Sequence, residues 1–232
     1  MIFLKSNGIV VFKKDIEEAD RYISIFLEDF GRVSSVIKGI RKSKRRDKVA
    51  VDLLALSEFT FYKKNDNIIV SSFNCIEDYS NIKKDFNKLN KALYLISILN
   101  QVLFENTKNR KIYDLTVKSL NFLNKSIDEK KDICLILYFL YEILKEEGII
   151  SSDKNNFDIE KNEIFLTGKK YHILDKEILE KLFMGEIKFI VSSEKFKIKD
   201  IFRVIIILED YINDTLGTYI NAKKIMWEEI IW

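Results

Sequence analysis

The 232-residue chain contains no proline, one histidine, two cysteines and only seven glycines. A protein of this length would ordinarily carry about a dozen prolines. With isoleucine, lysine and asparagine abundant, that absence points to AT-rich coding and bears on no mechanism. The histidine is more informative. Any Ser-His-Asp triad or histidine-based metal site has to run through His172. It has no cysteine partner, no aspartate at metal spacing and no Gly-x-Ser-x-Gly sequence nearby. Cys75 and Cys134 stand far apart, which argues against a disulfide framework and for a reducing compartment. Together with His172 they fall short of a four-ligand zinc site, so no metal and no cofactor are expected. Glycine is too scarce for a Walker A loop or a dinucleotide fingerprint, and neither is present. Apolar runs such as Val204 to Leu208 are far below the ~20 residues of a membrane helix. The N-terminus, MIFLKSNGIVVFKK, lacks a basic region, an apolar core and a small-residue cleavage site, so no signal peptide is read there.

What is present is a globular composition, 47% hydrophobic and 32% charged, with one uneven charge feature. Lys38 to Lys48, KGIRKSKRRDK, holds seven cations against the single carboxylate of Asp47. The stretch therefore carries +6, and since the whole chain carries only +3, the remainder sums to −3. A concentrated cationic spot on a slightly acidic body is a local electrostatic footprint for a polyanion. The plainer alternative is a solvated charge run.

The hydrophobic pattern changes once along the chain. Up to about residue 77 it reads as β-structure: Phe3 to Phe12, Arg21 to Leu27, Arg32 to Ile37, Phe59 to Tyr62 and Ile68 to Val70. Turns are expected at Asp15–Glu18, at Asp29-Phe30-Gly31 and at Lys63–Asn67. Five short strands in this span are the size of a small Greek-key barrel such as an OB-fold. From Tyr79 the period becomes 3.6. Leu89 to Leu103, Ile112 to Leu123 and Ile133 to Leu144 mark helices, the third apolar nearly all round and so buried. Gly148 ends it. A helix capped by Asp175 runs through Phe183, and Lys199 to Leu216 is the last strong one. The expected fold is thus α+β: an OB-fold domain over residues 1–78, then a helical domain over 79–232. The latter carries a short irregular or hairpin insertion around 149–172, with strands near Phe157–Ile159 and Ile164–Leu166.

The N-terminal residues resemble a known family. Gly8-Ile9-Val10-Val11, Glu18-Ala19-Asp20-Arg21, Phe30-Gly31-Arg32 and Lys38-Gly39-Ile40-Arg41-Lys42-Ser43 match, in order and spacing, the opening of the RecO recombination mediators. The resemblance implies a non-enzymatic, cytoplasmic, nucleoid-associated protein of DNA repair and recombination. Such a protein binds single- and double-stranded DNA, anneals complementary strands and helps load recombinase onto coated single strands. Its implied partners are RecR and the C-terminal tail of the single-strand-binding protein, with no membrane involved. Many relatives carry a four-cysteine zinc site just after the glycine matched by Gly148. Here that segment, Ile149 to Asn156, contains no cysteine.

The candidate DNA contacts are Lys38, Arg41, Lys42, Lys44, Arg45, Arg46 and Lys48 in the basic stretch, with Arg21 and Arg32 on adjacent strands. Cations neutralise phosphates, and arginine adds fork geometry and stacking. Arg21 and Arg32 read equally well as partners for Asp20 or Glu28. Lys13, Lys14, Lys63 and Lys64 read more simply as surface lysines. Tyr22 and Tyr62 are candidates for base stacking, since a phenol tolerates a wet face. The tail containing Trp227 and Trp232 reads as packing on the helical body, or else as a docking segment. Two rival readings remain: a protein–protein adaptor without direct DNA binding, and a metal-dependent nuclease using Asp15/Glu17/Glu18/Asp20 or Glu146/Glu147.

Overall fold

β-Structure starts where the alternation of side chains starts. A computed structural model describes residues 2–64, 67–150 and 172–226. Five strands form one antiparallel sheet: β1 (Leu4–Ile16), β2 (Asp20–Leu27), β3 (Gly31–Ile37), β4 (Leu56–Lys64) and β5 (Asn67–Glu77), in the order β3-β2-β1-β4-β5. The sheet curls until its two edges meet. No backbone ladder joins β3 to β5 among the described residues. Ser35 bridges them instead, its Oγ donating to the Ile68 carbonyl (3.0 Å) and accepting the Val70 N–H (3.4 Å). The result is the partly open five-stranded barrel of an OB-fold.

The inward-facing residues are apolar and close the barrel around one core. Val10, Ile23, Ile25, Leu27, Val33, Ile37, Phe59, Phe61 and Phe73 form it, with Ile40, Ala50 and Val51 added from the β3–β4 connection. A 3-10 turn, Val49–Val51, plugs the end of the barrel there. Two details depart from the alternation read in the sequence. First, the β1–β2 ladder shifts between Val10 and Phe12, so Val11 is an extra, bulged residue and Phe12 turns outward. Second, the strands run past the expected turn at Asp15. The Asp15–Arg21 pair extends the ladder, and the reversal is confined to Glu17–Ala19, with Glu17 at φ +49°.

The helices are α1 (Ser80–Lys84), α2 (Phe86–Val102), α3 (Arg110–Lys125), α4 (Glu129–Glu146), α5 (Ile173–Phe183), α6 (Ile187–Ser192), α7 (Ile198–Leu216) and α8 (Ala222–Met226). Packing divides the chain into two compact units, residues 1–84 with 102–124, and residues 85–101 with 125–232. In the first, α3 covers the sheet, with Tyr113 edge-on to Phe26 at 5.6 Å. Asn124 accepts the N–H groups of Asn81 and Ile82, which start α1. In the second, α4 and α7 pack together. Glu209, buried on α7, accepts from the Tyr94 hydroxyl at 2.8 Å and from the Ala222 N–H. Arg203 pairs with the buried Asp175 and Asp200, both at 2.9 Å.

Asp175 does not cap α5 alone, as the sequence suggested. His172 is the N-cap, its Nδ1 accepting the Leu174 N–H, while Asp175 accepts the His172 N–H at 3.1 Å. The hairpin expected at 157–166 and the tail residues Trp227 and Trp232 lie outside the described residues.

Gly31 opens β3 at φ +73°, and a Cβ there would sit 2.2 Å from the Thr107 carbonyl oxygen. Both the left-handed backbone and the overlap penalise a side chain. Gly31→Ala should therefore lower the unfolding free energy by about 2–4 kcal/mol. Urea denaturation followed by circular dichroism measures this, and an unchanged midpoint contradicts the packing described.

Candidate nucleic-acid interface

Lys38 to Lys48 leaves β3 and leads into the 3-10 turn at the end of the barrel. A stretch carrying +6 repels itself, yet it is folded. Gly39 at φ +66° makes the first reversal, and its N–H donates to Asp20 Oδ1 at 2.8 Å. Ile40 drops into the barrel core, 1% exposed. Ser43 closes a turn onto the Gly39 and Ile40 carbonyls, and its Oγ accepts the N–H groups of Arg45 and Arg46. Asp47, the single acid of the stretch, is fully engaged. One oxygen accepts the N–H groups of Val49 (3.0 Å) and Ala50 (3.3 Å), and the other accepts the Cys75 N–H of β5 at 2.9 Å.

The seven cations divide by what they touch. Arg46 is a structural member, with Nη1 on the Lys38 carbonyl (2.7 Å) and its guanidinium 4.8 Å from the Phe73 ring centre. Lys48 donates to the Arg41 carbonyl at 2.7 Å. Arg41 reaches the β1–β2 turn, donating to the Glu17 carbonyl (2.9 Å) and pairing with Asp15 (3.3 Å). Lys42 pairs with Glu18 at 2.6 Å. Lys38 is 85% exposed and comes no nearer than 3.8 Å to Asp20. Lys44 and Arg45 are exposed, and their side chains have no partner among the described residues.

The acidic cluster Asp15/Glu17/Glu18/Asp20 thus lies against the basic loop. Its four carboxylates offset part of the loop's +6. Asp15 is shared between Arg21 (2.8 Å) and Arg41, and the Arg21 hydrogen bond first, then both charges, hold its carboxyl below the usual range. Partial burial pushes Asp52 up, but Lys13, hydrogen-bonded to it, and Lys83 outweigh that and leave it below its ordinary value.

The remaining sequence candidates scatter. Arg21 is only 15% exposed and bound to Asp15, the Val51 carbonyl and Asp52, which ties β2 to the 3-10 turn. Arg32 sits at the other end of β3, about 20 Å along the strand from Lys38 at ~3.3 Å per residue. Its carbonyl accepts the Asn106 N–H there. Tyr22 is half-buried beside Phe12, with ring centres 6.1 Å apart. Tyr62 packs edge-on against Phe3 at 5.4 Å, near the start of β1 and away from the loop. Lys13 is paired with Asp52, while Lys14, Lys63 and Lys64 are exposed. Sequence reading missed Phe12, Val36 and Phe73. The first two project from the outer face of the sheet, and a bulge and a strand register decide that, not residue type.

Among the described residues no three of His, Cys, Asp and Glu form a group that could hold a metal ion. Burial pushes the Cys134 thiol up to about 12 and raises Cys75, so neither is an activated nucleophile. No described helix is long and apolar enough to cross a membrane.

An OB-type barrel with a folded cationic loop at one end, joined to a helical unit, defines a class, and comparison with known proteins places the chain within it. Residues 1–77 match the family model "Recombination protein O N terminal", and residues 83–150 match "Recombination protein O C terminal". Proteins named "DNA repair protein RecO" are similar to it. The one from Acetivibrio thermocellus is 32% identical over 148 residues, 64% of this chain and 58% of the relative. That from Caldanaerobacter subterraneus is 31% identical over 140 residues, 60% and 56%. One from Listeria monocytogenes is 27% identical over 124 residues, 53% and 49%. The chain belongs to the RecO family, and it spans a little over half the length of the first two relatives.

Asp47 holds the loop to both the 3-10 turn and β5. Asp47→Ala leaves three N–H groups without that acceptor and should cost about 1–3 kcal/mol of stability. Urea unfolding tests this, and a loss of less than a few tenths of a kcal/mol would mean that Asp47 does not anchor the loop.

Proposed function

We propose that the protein is a non-enzymatic DNA repair and recombination mediator of the cytoplasm. It binds single- and double-stranded DNA through the 38–48 loop, anneals complementary strands and helps load recombinase onto coated single strands. RecR and the tail of the single-strand-binding protein are its proposed partners. The observation that carries the reading is the folded loop. Its charge is not a loose tether, since Ile40, Asp47 and Arg46 fix the backbone while Lys38, Lys44 and Arg45 face solvent. Fixed cations meet a phosphate backbone with less ordering entropy to lose than a floppy run.

The acids at the β1–β2 turn refine the mechanism. Glu18 and Lys42 are 89% and 64% exposed, so their pair is weak and open to exchange. A phosphate displaces such a carboxylate and takes over its cation. Lys38, Lys44 and Arg45 give immediate charge neutralisation, and Arg41 and Lys42 join once the strand has docked. Binding of this kind is moderate and reversible. Annealing needs both properties, because two strands must be held close with their mutual repulsion lowered and then released as a duplex. For the helical unit, the cleft lined by Glu209, Asp210, Asp214, Tyr219 and Ile220 is acidic and repels an acidic tail, so the tail is proposed to dock elsewhere on that unit.

Fluorescence anisotropy with single-stranded DNA across a salt series, with annealing followed on the same samples, tests the reading. Lys44→Ala with Arg45→Ala should weaken binding and reduce the slope of log K against log salt by about 1.4, at ~0.7 for each phosphate no longer neutralised. Glu18→Gln should strengthen binding about two- to five-fold by removing the carboxylate that holds Lys42. Unchanged affinity in both variants contradicts the loop as the site. Magnesium-dependent cleavage would favour the nuclease reading, and salt-insensitive absence of binding the adaptor.

A further inference from the structure

Strand register places an uncovered platform beside the loop. On the outer face of the sheet, Lys14, Tyr22 and Val36 lie opposite one another across β1, β2 and β3. The next row toward the barrel middle is Phe12, Ser24 and Ser34. Phe12 belongs to this face only because the Val11 bulge rotates it outward. Phe12 is 43% exposed and Val36 38% exposed, while the Tyr22 ring stands edge-to-face against Phe12. Beyond this end of β3 comes Lys38, followed by Lys44 and Arg45. Further along the same face, Phe26 is fully buried beside Tyr113 of α3, so the helix covers one part of the sheet and leaves this part open. The rows are about 7 Å apart and the three strands span about 10 Å, which is enough for flat rings.

We propose that Phe12, Tyr22 and Val36 form a platform on which the unpaired bases of a single strand lie while the adjacent cations hold its phosphates. The occupant follows from charge. An apolar patch with Lys14 in its own row and Lys38, 85% exposed and 3.8 Å from Asp20, one row beyond suits a ligand that is flat and apolar on one side and anionic on the other, and a nucleotide strand with exposed bases is that ligand. Bases stack on aromatic rings irrespective of sequence. Duplex bases are already stacked on one another and offer the platform nothing. The loop therefore serves both forms of DNA, whereas the platform adds affinity for single strands alone. This inference rests on the DNA-binding reading and adds strand selectivity to it.

The experiment compares three labelled probes of equal length on the full chain: a deoxythymidine oligonucleotide, an abasic deoxyribose-phosphate oligomer and a duplex. Wild-type protein should bind the base-bearing strand about ten-fold or more tighter than the abasic one. Phe12→Thr with Val36→Thr keeps β-forming residues at exposed positions. It should abolish that ratio while leaving abasic and duplex affinity within two-fold. Phe12→Tyr, which retains a ring, should keep most of the ratio. Equal wild-type affinity for the base-bearing and abasic strands overturns the platform while sparing the loop as a phosphate site. A double variant that retains the full ratio also overturns it. Failure of wild type to bind any probe overturns the platform together with the DNA-binding reading on which it rests.

Discussion

Holding like charges together is the constraint on which this architecture depends. Seven cations in eleven residues disfavour any compact arrangement of the β3–β4 connection. The fold counters this with one buried side chain and one carboxylate. Ile40 anchors the first half of the loop in the barrel core, and Asp47 anchors the second half to the 3-10 turn and to β5. Arg46 turns back onto its own backbone and the Phe73 ring, so one of the repelling charges becomes a structural tie. With those points fixed, Lys44 and Arg45 have only solvent to face.

The same electrostatics explain why the β1–β2 turn is acidic. Asp15 sits between Arg21 and Arg41, and Glu18 lies on Lys42. These groups stabilise the loop and, on the proposed reading, occupy the positions that phosphates would take. A site of this design binds less tightly than its bare charge suggests and exchanges more readily. On the proposed reading, that moderation separates a protein that brings strands together from one that merely sequesters them. On the same reading, the open sheet face next to the loop would distinguish bases that are free from bases that are paired.

Much of this was legible in the residues. Alternation from Phe3 to Val70 located five strands, and the change of period at Tyr79 located the helices. Apolar spacing marked α2, α3, α4 and α7. The basic stretch announced itself by composition. What stayed hidden depends on interactions between distant segments. Asp47 reads as a lone acid in a basic run, and nothing local reveals that it accepts the Cys75 N–H. The acids at 15–20 read as a solvated turn, because their partners lie about two dozen residues away. Phe12 ends an apolar run in the sequence, and only the Val11 bulge decides that it faces outward. His172 reads only as a histidine without catalytic or metal partners, but the Leu174 N–H makes it a helix cap. Residues 102–124, helical by period, belong to the same compact unit as the sheet, a grouping that only packing defines.

The proposed function requires that a nucleic-acid backbone meet the protein at the 38–48 loop. Lysine acetylation footprinting, read by mass spectrometry with and without saturating single-stranded DNA, tests it most directly. DNA should protect Lys38, Lys42, Lys44 and Lys14, while Lys131 and Lys195 of the other unit keep their reactivity. Undiminished acetylation of Lys38 and Lys44 in the complex, with protection confined to lysines elsewhere, would contradict it.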